Sequence, residues 1–223
     1  PEFDEHLNFF ADAEKMTKII DAITAIRTRR SEMNVPPSKK AQLTIVTDAA
    51  EAFWYCRNGK LTNLNMERAE YAFMQSHHLQ IDHLTLRGKY TFQYARNIEI
   101  HHAILDTKDA FWNSEDCTIY DSDVKGEYLG WYAKNLRLVR CHISGTQPLC
   151  YCENLILEDC TFAPNADLAF EHSSVQATIL SAVTSIINPK SGTIRCHSCG
   201  DYMHDAGAKA PDDCQLICST DID

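Results

Sequence analysis

The chain repeats itself every 19 residues. Asn97-Ile98-Glu99-Ile100, Asn135-Leu136-Arg137-Leu138, Asn154-Leu155-Ile156-Leu157 and the looser Asp116-Cys117-Thr118-Ile119 carry one pattern. Their second residues, Ile98, Cys117, Leu136 and Leu155, are each 19 positions apart. Gly59, Leu79 and Val175 extend the series at spacings of 19 to 20. A fixed period of this size marks a solenoid, in which each repeat buries its apolar face only by stacking on its neighbours. With the Ile98-type residue named the anchor, apolar residues recur at the anchor, two later and seven later. Examples are Ile98, Ile100 and Leu105, and Leu136, Leu138 and Ile143. Alternation puts anchor and plus two on one face of a strand. The break before plus five, where Leu64, Leu84, Ala103, Ser122, Cys141 and Cys160 stand, marks a corner. The expected fold is all-β, a parallel β-helix of about 19-residue coils, with an N-terminal α-helix and short strand. Its right hand follows from the general handedness of parallel crossovers.

Two corners fit this reading. Just before the anchor stand Asn58, His78, Asn97, Asp116, Asn135, Asn154 and Ser174. Asn and Asp tolerate left-handed backbone, and stacked amides bond along a ladder. Ten before the anchor stand Ala69, Gly88, Thr107, Gly126 and Gly145, suited to a tight bend. The next residues pair by stacking, Glu70 with Lys89 and Lys108 with Glu127.

Residues 1–52 differ. Met16, Ile19, Ile20, Ile23 and Ile26 recur at helical spacing, predicting an amphipathic helix over about 11–32, stopped by Asn34 and Pro36-Pro37. Ala41 to Val46 alternates as a short strand, and Thr47-Asp48 is placed to cap a further helical turn. The helix is expected to cap the open end of the solenoid.

The segment Arg30-Ser31-Glu32-Met33-Asn34-Val35-Pro36-Pro37-Ser38-Lys39-Lys40, with its approach from Pro1, resembles the anticodon-binding region of bacterial valyl-tRNA synthetases. That resemblance implies a helical tRNA-contacting piece of a class I synthetase. The H-I-G-H motif and nucleotide-binding fold of such enzymes are absent, and Lys15-Met16-Thr17-Lys18 reads as helix rather than a K-M-S-K-S loop. Arg27, Arg29, Arg30, Lys39 and Lys40 read as a solvated face, so tRNA is not expected as a partner of this fragment.

From residue 53 to about 220, stretches such as Tyr90-Thr91-Phe92-Gln93-Tyr94, Gly126 to Tyr132 and Gly145 to Cys152 resemble the C-terminal half of an uncharacterised bacterial β-helix family. Its shape is pectate-lyase-like and its function unknown. The two resemblances divide the chain into 1–52 and 53–223, a fusion joined near Ala50–Phe53.

The net charge of −10 argues against binding nucleic acid or anionic membrane. No apolar run approaches a bilayer span, and no signal segment opens the chain, which points to cytoplasm. The ten cysteines, mostly at repeat positions, then read as buried thiols. Cys196, Cys199, Cys214 and Cys218 have zinc-like spacing, yet repeat positions explain them better, so no metal or cofactor is expected. This reading anchors the last coil on Ile194. His77-His78 and His101-His102 have no identifiable partner and read as structural.

The face between the two corners is the richest. Five before the anchor stand Trp54, Met74, Gln93, Trp112, Trp131, Cys150 and Phe170; four before stand Tyr55, Gln75, Tyr94, Asn113, Tyr132, Tyr151 and Glu171. In a strand one of these rows faces out, and either is aromatic-rich. Tyr94, Trp112, Trp131 and Tyr132 are the candidate ligand-binding residues, as a platform on which sugar C–H faces stack. Nearby acids Asp109, Glu115, Asp116, Asp123 and Glu127 keep a polysaccharide lyase or hydrolase as an alternative, though no catalytic residue can be chosen. The expected function is a non-catalytic binding or scaffold solenoid with carbohydrate as the candidate ligand, self-association through its ends or aromatic face being a further expectation. A valine-tRNA ligase fragment by descent, inactive without its catalytic domain, is the third reading.

Overall fold

The structure is a computed structural model that describes residues 10–32, 45–47, 50–205 and 213–220. It divides into two compact units, Pro1–Gln42 and Leu43–Asp223. The first is described as one helix, α1 (Phe10–Glu32). Its apolar residues Met16, Ile20, Ile23 and Ile26 are exposed. Residues 33–44, which include most of the synthetase-like motif and the start of the expected strand, lie outside the described residues, as does Asp48.

The second unit is a parallel β-solenoid of about eight turns with roughly 19-residue spacing. Its strands are β1 (Ile45–Thr47), β2 (Arg57–Glu70), β3 (His77–Lys89), β4 (Arg96–His101), β5 (Ile104–Lys108), β6 (Thr118–Tyr120) and β7 (Asp123–Lys125). They continue as β8 (Arg137–Val139), β9 (His142–Ser144), β10 (Leu155–Phe162), β11 (Ser174–Ile187), β12 (Ser191–Met203) and β13 (Cys214–Cys218). Ile45 pairs with Leu64, so β1 forms a rung of the solenoid. β4, β6 and β8 make the anchor face. β5, β7 and β9 make the face beyond the plus-five corner. β2, β3 and β10 run through that corner and belong to both.

Register follows the repeat. Leu79 pairs with Ile98, Ile119 with Leu138, and Leu155 with Val175. Leu79, Ile98, Cys117, Leu136 and Leu155 are all buried, each large aliphatic side chain contributing about 1.5–3 kcal/mol. The corner residues before the anchor hold left-handed backbone, with φ of 52° at Asn97, 55° at Asp116 and 52° at Asn135. Their side chains form the ladder: Asn135 Nδ2 donates to Asp116 Oδ1 at 2.8 Å, and Asn154 Nδ2 to Asn135 Oδ1 at 3.1 Å. At the glycine corner a Cβ on Gly145 would stand 2.2 Å from the Gly126 carbonyl oxygen, with φ at +107°. The stacked pairs form as expected, Lys89 to Glu70 at 3.2 Å and Lys108 to Glu127 at 3.0 Å.

The last coil departs from expectation. Gly192, not Ile194, pairs with Val175, and Ile194 pairs with Ala177. Cys196 therefore continues the column of Cys160 and Ile179, while Cys199 pairs with Val183. The turn Asn188–Lys190 shortens the coil, and Gly192 is required because a Cβ there would meet the Val175 carbonyl oxygen at 1.9 Å.

The third face is not a strand. Residues such as 71–75, 90–94 and 128–132 are turns in which alternate residues are left-handed: Tyr71, Phe73 and Gln75 have φ of 55°, 62° and 53°. Amides consequently point alternately to the two neighbouring coils. Tyr71 N donates to Lys89 O, Phe73 N to Ala52 O, and Gln75 N to Gln93 O. Every second amide thus leaves the turn for a neighbouring coil, alternately the following and the preceding one, so the coils bond each other here without extended dihedrals. This geometry directs the residue six before the anchor inward. Phe53, Phe73, Phe92 and Phe111 stack in a column, with centroids 5.0, 4.7 and 4.8 Å apart and planes within 4°.

Candidate ligand-binding face

The turn geometry decides what this face shows to solvent. Four before the anchor, Tyr55, Tyr94 and Tyr132 are 54%, 50% and 44% exposed. Gln75 and Asn113 stand between them, each half-buried. The outward column thus reads ring, amide, ring, amide, ring. Successive coils lie about 4.8 Å apart, so the rings recur at about 9.6 Å. Tyr151 follows, stacked on Tyr132 at 4.9 Å, and then His172 at 5.2 Å from Tyr151. One extra residue in that coil puts His172, and not Glu171, in the column, and moves Phe170 into the buried interior.

The row five before the anchor lies between inside and outside. Gln93 and Cys150 are buried, and Trp112 and Trp131 are half-buried. Trp131 packs edge-on against Tyr128 at 4.8 Å and Tyr151 at 5.6 Å, and its Nε1 donates to Gln147 O at 3.3 Å. Trp54 donates likewise to Tyr71 O at 2.6 Å. The structure therefore brings Trp131 and Tyr132 into one aromatic cluster. Tyr94 is separated from Tyr132 by Asn113, and Trp112 sits in the inner row. Strand alternation had set one of the two rows inside and the other outside; left-handed turns instead leave a graded face, with the tyrosines outermost.

Eight before the anchor a second set of rings flanks the face. Tyr71 and Tyr90 stack at 5.0 Å, and Lys108 Nζ sits 5.1 Å from the Tyr128 ring centre. Asp109 occupies this column between Tyr90 and Tyr128 and is buried. Burial pushes its carboxyl above the ordinary range, against the opposing pull of Lys108. Of the other acids, Glu115 pairs with Arg96 at 3.4 Å, Glu127 with Lys108, and Asp116 accepts from Asn135, while Asp123 is exposed on β7.

Of the four candidate metal-ligating cysteines, Cys196 and Cys218 approach, Sγ to Sγ 3.8 Å, as register partners. Cys214 pairs with Gly192 and Cys199 with Val183, so no three of these thiols gather at ligand distance among the described residues. Burial pushes the Cys196 thiol up to about 12 and Cys199 to about 11. The corner cysteines are built in: Cys141 Sγ donates to Ile119 O and Cys160 Sγ to Leu138 O, both at 3.4 Å.

The His101-His102 pair does have partners. His101 Nε2 lies 2.9 Å from Glu99 Oε1, and His102 Nδ1 lies 2.9 Å from Asp82 Oδ1 in the preceding coil. His83, which the repeat did not single out, meets the same Asp82 oxygen at 2.9 Å. The His101 and His83 contacts lie within one coil, whereas His102 reaches Asp82 only through the offset between neighbouring coils.

A family described as "Protein of unknown function (DUF3737)" matches residues 10–217. Valine–tRNA ligase of Clostridium acetobutylicum is 49% identical over 49 residues, 22% of this chain and 6% of the ligase. That of Clostridium tetani is 45% identical over 62 residues, 27% of this chain and 7% of the ligase. The chain thus spans only 6–7% of the length of these relatives. No solved structure matches.

Proposed function

This chain belongs to the DUF3737 family of proteins of unknown function, and from that premise we propose that it is a non-catalytic binding solenoid whose outward tyrosine column takes an extended carbohydrate. The observation that carries the reading is the column itself. Tyr55, Tyr94 and Tyr132 expose about half their surface on every second coil, with Gln75 and Asn113 between them. Sugar C–H faces pack on rings, and amides bond hydroxyls, so a ring–amide alternation suits a polymer lying along the solenoid axis. Trp112 and Trp131 support the platform from the inner row. Residence in the cytoplasm and association between copies through the solenoid ends or this face belong to the same proposal; no described helix is long and apolar enough to cross a membrane.

The test is a glycan array probed with the intact chain and with Tyr94→Ala/Tyr132→Ala. Binding that is lost in the double variant, with unfolding midpoints unchanged, supports the reading. Absence of glycan binding, or binding indifferent to both tyrosines, overturns it.

Asp109 favours one second reading, a carbohydrate-active lyase or hydrolase, because a buried carboxyl of raised pKa beside a sugar platform suits a general acid. Turnover of acidic polysaccharides that disappears in Asp109→Asn would decide for it. The ligase matches suggest descent of a short segment from a valine-tRNA ligase. Such a fragment carries no aminoacylation chemistry, and valine-dependent ATP–pyrophosphate exchange by this chain would contradict that.

A further inference from the structure

We propose that Asp82, His83 and His102 form a site for one divalent transition cation of zinc-like chemistry, with two imidazoles and one carboxylate from adjacent coils as protein donors. His83 and His102 hold the same place in successive coils, four after anchors Leu79 and Ile98. Both are left-handed, with φ of 58° and 52°, so their side chains leave the corner side by side, rings 4.9 Å apart. The Nδ1 of each lies 2.9 Å from a single oxygen, Asp82 Oδ1. Among the described residues this is the group in which three such donor atoms lie within 4.8 Å of one another.

The donor spacing suits a metal. A tetrahedral ion with bonds of roughly 2.0–2.1 Å sets its donors about 3.3 Å apart, a few tenths beyond the 2.9 Å from each Nδ1 to Asp82 Oδ1. The three side chains are 40%, 60% and 53% exposed, so the rings can make that adjustment and an ion reaches them from solvent. Each ring presents its Nδ1 to the same carboxylate oxygen. Coordination through Nδ1 requires the tautomer that carries its proton on Nε2, which a neutral imidazole can adopt.

Imidazole with carboxylate and no thiolate selects zinc, cobalt, nickel or copper over magnesium and calcium, which require oxygen donors. Three protein donors leave at least one position for water. Neighbouring groups are engaged elsewhere. Arg140 holds Asp121 through two bonds of 2.6 and 2.8 Å, and His101 turns to Glu99 and stacks on Tyr120 at 4.5 Å. The ion would clip two coils together at one corner.

The test is titration of the tag-free full chain with cobalt(II), followed by visible d–d absorption, and with zinc(II) by calorimetry. One equivalent should bind, without thiolate-to-cobalt charge-transfer absorption. Asp82→Asn, His83→Asn and His102→Asn keep residues that tolerate these corners. Each should weaken binding by more than the roughly tenfold that loss of even an outer partner costs, while His101→Asn leaves it unchanged. No saturable binding by a folded chain, thiolate charge-transfer bands that place the metal on cysteines, or affinity unmoved by the His83 and His102 variants would each overturn the proposal.

Discussion

Phe92 lies parallel to Phe111, with ring planes within 3° and centroids 4.8 Å apart. That distance is the pitch of the solenoid, about 4.8 Å, so the rings stack because successive coils repeat the same left-handed turn. The column ends where Gly130 takes the phenylalanine's place and Leu136 and Leu149 fill the space.

Phe92→Ala opens a cavity between two rings in a column that cannot collapse without moving a coil. The expected loss is about 3–5 kcal/mol, with Phe92→Leu costing less. Urea unfolding midpoints measure both; a loss below that of an exposed substitution such as Tyr94→Ala would contradict the column's role.

Asn135 joins the ladder between Asp116 and Asn154 at a φ of 52°. Alanine keeps the Cβ that costs about 1–2 kcal/mol in left-handed backbone but lacks the polar side chain that lets asparagine tolerate it, and it removes two exposed bonds. Asn135→Gly loses the same bonds without the backbone penalty. Glycine should therefore unfold at higher urea than alanine, and the reverse order would refute the left-handed account.

Asp109 is 8% accessible, and burial raises its carboxyl pKa. A carboxyl with a folded pKa above its unfolded value destabilises the native state when ionised. That penalty is full above the folded pKa and fades as pH falls toward the unfolded value of about 3.9. Asp109→Asn should therefore be more stable than the parent at pH 7, with an advantage that shrinks on acidification and is gone near that value. Paired denaturation curves across this range check the sign. An Asp109→Asn variant less stable than the parent at pH 7 would mean that Lys108 outweighs burial.

Cys196 and Cys218 stand as parallel register partners with thiols 3.8 Å apart. Mild oxidation should join them and staple the last described strand to its neighbour, closing a loop of a size that stabilises by about 3 kcal/mol. The Cys196 thiol, pushed up to about 12 by burial, makes a poor attacking group at neutral pH, so joining should accelerate with alkali. Peptide mapping of the oxidised chain identifies the bond, and a different cysteine pair would refute the placement.

Features that repeat by translation were readable without coordinates. The anchor column, the asparagine ladder, and the Lys89–Glu70 and Lys108–Glu127 pairs each join equivalent places in neighbouring coils, so counting 19 residues finds them. The phenylalanine column obeys the same rule; the recurrence of Phe53, Phe73, Phe92 and Phe111 was its available signal. Extended alternation, applied to a face that is not extended, directed attention to the rows four and five before the anchor instead.

Sequence alone determined that this chain stacks coils and which residues share a column, because a linear period maps directly onto a stacked one. Tertiary structure alone decided three matters. It set which column faces out, because left-handed turns break the two-residue alternation of a strand. It moved the last coil two residues, from Ile194 to Gly192, because a shortened turn changes register without disturbing the apolar pattern. And it joined Asp82 to His102, because the two occupy unequal places in their coils and meet only through the lateral geometry of a corner.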